Sequence, residues 1–418
     1  MMLVWIVQSG EELPGIDPGA REWRCSMLAK ALIAKGHNVL WWGSTFNHVR
    51  KTHRYSSTQT IEIMPGWEVR LLHGPGYKRS RSLKRVIHHR TLAASFAREA
   101  HLFPKPDIIF ASLPIIELAE QAVMYAQQAN VPVIVDIRDL WPDHYLTLVP
   151  RWFRGVFRLV LFSEFRRTQL LLRNATGITA ISSEFLNWGL NFAGRQRRST
   201  DQVFPMGYPS SQVPREMLMA KQKELIERYG IDTNKLIVVF VGTINSIFDF
   251  DTIIQAARLL QQEGNNNIQF VVVGDGSHRK NLYTKTRYLN NVVLTGWLDH
   301  ISVSAMLHMA SVGLAPYAEE KSVSGSLPNK AFEYMAFGLP ILSSHRGDLE
   351  RLILNEQIGL HYQAGDVDSL IQSLRRLINN PHERQEMSKR SQTLYNTTYR
   401  PEVIYSRMVE FLEKITHG

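Results

Sequence analysis

Two α/β domains, each a mostly parallel sheet covered by helices, are what this 418-residue chain predicts. Three observations carry that expectation. The chain is longer than one hydrophobic core comfortably serves. Both halves alternate short apolar runs with stretches of helical periodicity, the rhythm of βαβ units. Glycine-bearing loops at 10–19, 242–246 and 274–276 close apolar runs, at the carboxyl edge where doubly wound sheets bind ligands.

The elements follow in order. Leu3–Val7 reads as the first strand, then the loop Gly10–Gly19, then a helix from Arg21 to Lys35. Gly36-His-Asn breaks that helix, and Val39–Trp42 is the next strand. Asp107–Ala111, Val131–Ile137 and Ile178–Ile181 are further apolar runs. Pro205, Gly207, Pro209 and Pro214 interrupt both periods and mark the join. The pattern restarts at Leu236–Val241, with a helix from Asp251 to Gln262 and strands at Phe270–Val273, Val292–Leu294, Val312–Ala315 and Pro340–Ser343. A helix from Asp366 to Asn379 follows, and the stretch from Glu383 onward is helical, broken at Pro401. The expected domains are 1–207, 208–385 and a helical tail, 386–418, that packs back on the first.

Hydrophobic content of 44% and charged content of 21% are those of a water-soluble folded protein. A single cysteine, Cys25, excludes an internal disulfide and a thiolate metal cluster, and fits a reducing cytoplasm. No apolar run reaches the roughly 20 residues of a spanning helix, and Met1–Val7 lacks the basic flank of a signal peptide. Charge is unevenly placed. Residues 1–210 hold 26 Lys and Arg against 16 Asp and Glu, whereas residues 211–418 hold 22 of each. Arg70–Arg90 carries seven basic residues and no acidic one; Arg151–Arg173 adds six, interleaved with Trp152, Phe153, Phe157, Leu159 and Phe162. Three readings fit these stretches: an anionic membrane surface, a nucleic acid, for which no reader motif is present, or a solvated basic face.

The densest chemistry lies at Ser322–Leu342, where a polar loop enters a short helix near Pro328 that ends at Gly338-Leu-Pro340. Free N–H groups at such a start favour anions, and Lys330 adds a positive charge. Glu333, one turn on, suits the two hydroxyls of a ribose. A nucleoside diphosphate answers this combination; an ordinary helix between two strands is the plainer reading. In the first half, Asp136-Ile-Arg-Asp-Leu-Trp-Pro-Asp-His-Tyr145 gathers three carboxylates, a histidine and an arginine at a strand end. These residues suit hydrogen bonds to sugar hydroxyls, with Asp143 or His144 as proton acceptor. The alternative is that Asp139 caps the next helix and Arg138 pairs with a neighbour. No metal-ligand spacing is present. The glycine loops match neither the dinucleotide fingerprint nor the P-loop.

Taken together, these pieces resemble the retaining nucleotide-sugar glycosyltransferases of family 4, which have the GT-B fold. The resemblance rests on Asp17-Pro-Gly-Ala-Arg-Glu-Trp23, Leu28–Val39, Asp139-Leu-Trp-Pro-Asp143, the Gly242-Thr turn with Phe248-Asp249, Val272-Val-Gly-Asp-Gly276, Gly296-Trp297 and Leu327–Pro340. The Asp-Leu-Trp-Pro segment and the Pro-x-Lys-x-x-Glu-Tyr-Met-Ala-x-Gly-x-Pro run point to the branch that builds bacterial surface polysaccharides.

The resemblance implies two facing Rossmann-like domains and transfer of a hexosyl or N-acetylhexosaminyl group from a UDP- or GDP-sugar to an acceptor hydroxyl. Gly19 would approach the donor diphosphate, with Arg21 near it, and Gly242, Asn245 and Gly274 would form the facing rim. Trp297, Ser326, Leu327 and Asn329 would complete the donor site around Lys330, and Glu333 would hold the ribose. Lys330, Asp143 and His144 would act in catalysis, with no metal and no bound cofactor. The family's first carboxylate falls at Gly325, and its arginine and lysine after the second domain's first turn are missing. Two other functions stay open: a nucleotide-sugar 2-epimerase of the same fold, which also sets a carboxylate on the uridine ribose, and a non-catalytic partner subunit, which these departures would fit. The acceptor would be a sugar or a polyprenyl-diphosphate-linked glycan, reached through the basic first half, on the cytoplasmic face of a membrane and with no nucleic acid.

Overall fold

The computed structural model of the protein describes residues 1–18, 20, 22–79, 82–146, 149–209, 213–319 and 327–417. The chain forms two compact units: Met1–Met206 with Pro401–Gly418, and Gly207–Arg400.

In the first unit the strands are β1 (Leu3–Val7), β2 (Asn38–Ser44), β3 (Phe46–Asn47), β4 (Thr52–His53), β5 (Gln59–Met64) and β6 (Trp67–Leu72). They continue with β7 (Ile108–Ser112), β8 (Val133–Ile137), β9 (Gly177–Ala180) and β10 (Gln202–Val203). Eight make one sheet, ordered β10-β9-β8-β7-β1-β2-β6-β5, in which only β5 runs antiparallel to its neighbour. Successive side chains point to opposite faces. Trp5, Val7 and Trp42 therefore pack with Phe96, Leu118 and Leu172 of helices Leu83–Glu99, Ile116–Ala129 and Phe162–Asn174. Val4, Ile6 and Trp41 pack on the other face with Leu28, Met408 and Leu412. With both faces covered, the central strands are continuous apolar runs.

The second unit holds β11 (Leu236–Val241), β12 (Ile268–Val273), β13 (Val292–Gly296), β14 (Val312–Ala315), β15 (Ile341–Ser343) and β16 (Gly359–His361). All are parallel, ordered β13-β12-β11-β14-β15-β16. This is the doubly wound nucleotide-binding order, and its direction reverses between β11 and β14.

Two boundaries differ from the sequence reading. The first helix spans Arg24–Ala34, where Trp23 N–H donates to Ser26 Oγ at 2.8 Å; Arg21 lies outside the described residues. The helical tail divides at 400/401. Helix Pro381–Leu394 stays in the second unit, with Ser391 Oγ donating to Leu339 O at 2.9 Å. Only Pro401–His417 joins the first unit, lying along Arg24–Ala34 with Tyr405 Oη donating to Met206 O at 3.0 Å. The β5–β6 hairpin, turned at Gly66 with φ 83°, escaped the sequence reading because β5 is half exposed and carries no continuous apolar run.

Candidate functional site

The carboxyl edge of the second sheet is built from glycine backbone. Gly242 N–H donates to Val273 O at 2.9 Å, Gly274 N–H to Gly296 O at 2.8 Å, and Ile244 N–H to Asp275 O at 2.9 Å. A Cβ on Gly274 would overlap the Gly242 carbonyl, so only glycine allows the three loops to close this tightly. Gly242 has φ 149°, and a Cβ there would overlap the Lys330 ammonium.

Lys330 reaches this edge from helix Asn329–Ala336, which follows β14 at the switch point. Pro328 sits at its N-cap, and the chain there is extended, with φ −71° and ψ 148°. The helix is bolted to the sheet by Tyr334, whose hydroxyl donates to Leu314 O at 2.9 Å and accepts from Val241 N–H at 3.3 Å. Gly313 leaves the room that this ring fills, since a Cβ at 313 would overlap it. Lys330 itself is buried. Its Nζ donates to Val241 O and lies 4.1 Å from the Phe240 ring centroid and 5.0 Å from that of Phe248. Burial pushes its pKa down to about 8, with Glu333 pulling the other way. Glu333, half buried, is three residues along the same helix, hence on the same side.

Gly242, Gly274, Lys330 and Glu333 thus come together at one edge. Leu327 and Asn329 border the same helix start, half buried and exposed respectively. Trp297 follows Gly296 on the rim and is 74% exposed. Asn245 is turned into its own loop, where Oδ1 accepts from Ile247 N–H at 3.1 Å. Gly19, Arg21 and Ser326 lie outside the described residues, as does Gly325. Two residues at this edge were missed from sequence. Arg279 approaches Gly296 and pairs with Asp275 at 3.0 Å, and the only hint was its place just past Gly274-Asp-Gly276. His345, buried after β15, has its ring centroid 4.7 Å from that of Tyr317, and no motif announced it.

The first unit disperses the aspartate cluster. Asp136 is fully buried in a two-pronged pair with Arg24, both contacts at 2.8 Å, while Arg24 also donates to Phe204 O and Pro205 O. Asp139 accepts from Leu140 N–H at 2.9 Å and Trp141 Nε1–H at 2.7 Å, and Arg138 pairs with Glu11. Arg138 therefore pairs with a neighbour as the alternative reading expects, Asp139 bonds within its own turn rather than capping the next helix, and Asp136 is matched in the core, where an unpaired charge is costly. Asp143 is half buried, and its Oδ2 accepts from Trp188 Nε1–H at 2.7 Å. His144 is exposed, with its ring 5.0 Å from that of Trp141. In the first loop Asp17 is held by Arg54, Leu13 N–H and Asn47; these hold its carboxyl below the usual range although burial alone would raise it. Among the described residues no group of three His, Cys, Asp or Glu side chains is placed to hold a metal ion, and no helix is long and apolar enough to cross a membrane.

Residues 221–394 match the profile of the family Glycosyl transferases group 1. This group 1 region coincides with most of the second unit and contains the Lys330–Glu333 helix. A 2-deoxystreptamine N-acetyl-D-glucosaminyltransferase of Niallia circulans is 25% identical over 174 residues, 41% of this chain and 43% of the relative. A putative teichuronic acid biosynthesis glycosyltransferase, TuaH, of Bacillus subtilis is 28% identical over 224 residues, 51% of this chain and 50% of the relative. The chain spans about half the length of the curated relatives it matches. Solved structures cover the whole chain. Sucrose-phosphate synthase from Thermosynechococcus elongatus aligns with a TM-score of 0.71 at 16% identity over 100% of both chains. Anabaena HepE in complex with UDP aligns at 0.64 and 16%, covering 99% of this chain and 100% of that one. The fold is GT-B.

Proposed function

We propose that the protein is a retaining glycosyltransferase of family 4 that moves a sugar from a UDP- or GDP-sugar to an acceptor hydroxyl in surface-polysaccharide or related glycan synthesis. The observation that carries this reading is the buried Lys330 ammonium beside the Gly242–Gly274 rim, one turn before Glu333. Negative charge develops on a departing nucleoside diphosphate, and a preorganised cation with amides around it stabilises that charge without metal. Glu333 accepts from the ribose hydroxyls. Arg279 is a second source of positive charge, in place of the missing family arginine and lysine. Anabaena HepE has been solved with UDP and with UDP-glucose, which supports a uridine nucleotide. The N-acetyl-D-glucosaminyltransferase relative supports an amino sugar.

In the reading we favour, the acceptor hydroxyl attacks from the face the diphosphate leaves. The donor's own phosphate oxygen takes the hydroxyl proton, so the anomeric configuration is kept. Protein groups then need only position both substrates and hold the leaving charge. Asp143 and His144 of the first unit are the acceptor-side candidates. The acceptor is a glycan on a polyprenyl diphosphate, and the basic first unit meets it at the cytoplasmic surface of a membrane.

UDP titration by calorimetry, with and without chelator, tests the donor reading, and proton NMR of the product's anomeric signal tests retention. Absence of nucleotide binding would overturn the first, and an inverted product the second. Gly325 in place of the family carboxylate favours one other reading, a non-catalytic partner subunit. Nucleotide binding without sugar transfer to a broad acceptor panel would select it.

A further inference from the structure

A groove of about 550 Å³ in the first unit is lined from helices Arg154–Val160, Phe162–Asn174 and Ser183–Ala193 and from Asp143. That volume falls within the roughly 300–1,000 Å³ typical of small-molecule sites. Its floor is a row of rings: Phe165 stacks on Phe192 with centroids 5.8 Å and planes 17° apart, and Trp188 leans on Phe192 at 4.8 Å. Its lip is Leu159 and Phe162, which are 73% and 65% exposed. In the same segment Trp152, Val156 and Val160 are exposed as well. Helix Arg154–Val160 buries none of its side chains. Both faces of the adjacent sheet are already covered, so nothing in this unit's core accounts for so much apolar area on one short segment.

Charge identifies the occupant. Arg158 and Arg166 line the groove, and the Arg158 guanidinium lies 4.5 Å from the Phe165 ring centroid. Arg151 and Arg154 precede the lip in the chain, the first exposed and the second half-buried. Glu164, the one acidic residue between 151 and 173, is engaged by Arg167 at 3.2 Å. Such a surface suits an amphiphile with a hydrocarbon chain and an anionic head. Asp143, the acidic lining residue, accepts from the Trp188 indole. It lies six residues beyond the carboxyl end of β8, in the segment that leaves the edge where α/β sheets bind ligands. A bulk phospholipid needs no path to that edge; a lipid whose head must be glycosylated does.

We propose that this groove holds the chain and phosphate of a lipid-phosphate-linked acceptor, with the chain on the Phe165–Phe192–Trp188 rings and the phosphate on Arg158 and Arg166. The proposal rests on the glycosyltransferase reading above and gives it an acceptor site.

The test titrates the full chain with farnesyl phosphate, farnesol and inorganic diphosphate, and separately with vesicles of phosphatidylglycerol and phosphatidylcholine. Farnesyl phosphate is expected to bind saturably and more tightly than farnesol or diphosphate. Leu159→Ser with Phe162→Ser, both surface positions, should weaken it by about tenfold or more. Arg158→Gln with Arg166→Gln should erase its advantage over farnesol. No saturable binding, or equal binding by wild type and both double variants, would overturn the proposal. Vesicle binding that the same variants abolish, without any binding of farnesyl phosphate, would overturn it in favour of a bulk bilayer contact. UDP affinity is followed in parallel: its absence in wild type would count against the donor reading, while farnesyl phosphate binding would still stand or fall on the groove alone.

Discussion

Lys330 and Glu333 share one helix turn but are expected to fail differently. On the proposed reading Glu333 faces a neutral ribose in the ground state, so Glu333→Gln should cost about 1–3 kcal/mol of nucleotide binding, the range for losing a charged hydrogen-bond partner. Calorimetric Kd values for UDP in the folded variant check this, and an unchanged Kd would remove the assignment. On the same reading Lys330 faces charge that grows along the reaction, so Lys330→Ala should slow turnover by about 10²-fold or more, beyond any change in binding. Its pKa of about 8 adds a pH signature. Between pH 8 and the ordinary lysine value the folded state binds fewer protons than the unfolded state, so this residue makes folding more favourable as pH rises. UDP affinity should move the opposite way, falling as pH climbs through 8 and the ammonium loses its charge. Titrations from pH 6.5 to 9.5 should show that decline in wild type and a flat profile in Lys330→Gln. A decline of the same size in both would assign the titration to another group.

At the scale of elements, helix Asn329–Ala336 is positioned by a contact that sequence does not advertise. Tyr334 fills the space over Gly313 and bonds to β11 and β14. Gly313→Ala should therefore force the ring outward, costing about 1–3 kcal/mol as overpacking does. UDP should bind more weakly as well, because Lys330 and Glu333 ride on the same helix. Urea unfolding and UDP titration of the one variant check both; full stability with normal affinity would mean that the helix is held elsewhere. What was legible follows the same logic. Helix start and stop residues, strand-end glycines and the Lys–Glu spacing are local, and the sequence displays them. The aspartate cluster misled because burial is non-local: nothing near Asp136 shows that Arg24, 112 positions earlier, will meet it in the core. Arg279 and His345 were missed for the same reason, since strand order and not chain order brings them to the Gly242 edge.

Across the whole molecule, the two units differ in how the chain builds them. The second is one continuous stretch, Gly207–Arg400, and the first is completed only when Pro401–His417 returns to it. Periodicity made the two-domain architecture legible. It left the return point at 400/401 hidden, because Pro381–Leu394 and Pro401–His417 follow one another as helical stretches and only packing distinguishes their partners. Ile404, Tyr405, Met408 and Leu412 are buried against the face that carries Leu28 and Trp41, and His37 meets Glu413 at 2.9 Å. Removing one such apolar side chain costs about 2–5 kcal/mol. Deleting the helix removes these four and the equally buried Val409, against a total stability of about 5–15 kcal/mol for a typical domain. A chain ending at Arg400 should therefore lose the first unit's unfolding transition and expose apolar surface that binds a hydrophobic dye. The second unit should keep its own transition and most of its UDP affinity, since Gly242, Gly274, Lys330 and Glu333 all belong to it. Differential calorimetry, dye binding and UDP titration on the truncated chain separate these outcomes. Two intact transitions would show that the returning helix is dispensable. Loss of UDP binding with the second transition preserved would show that the first unit supplies a contact the nucleotide cannot do without.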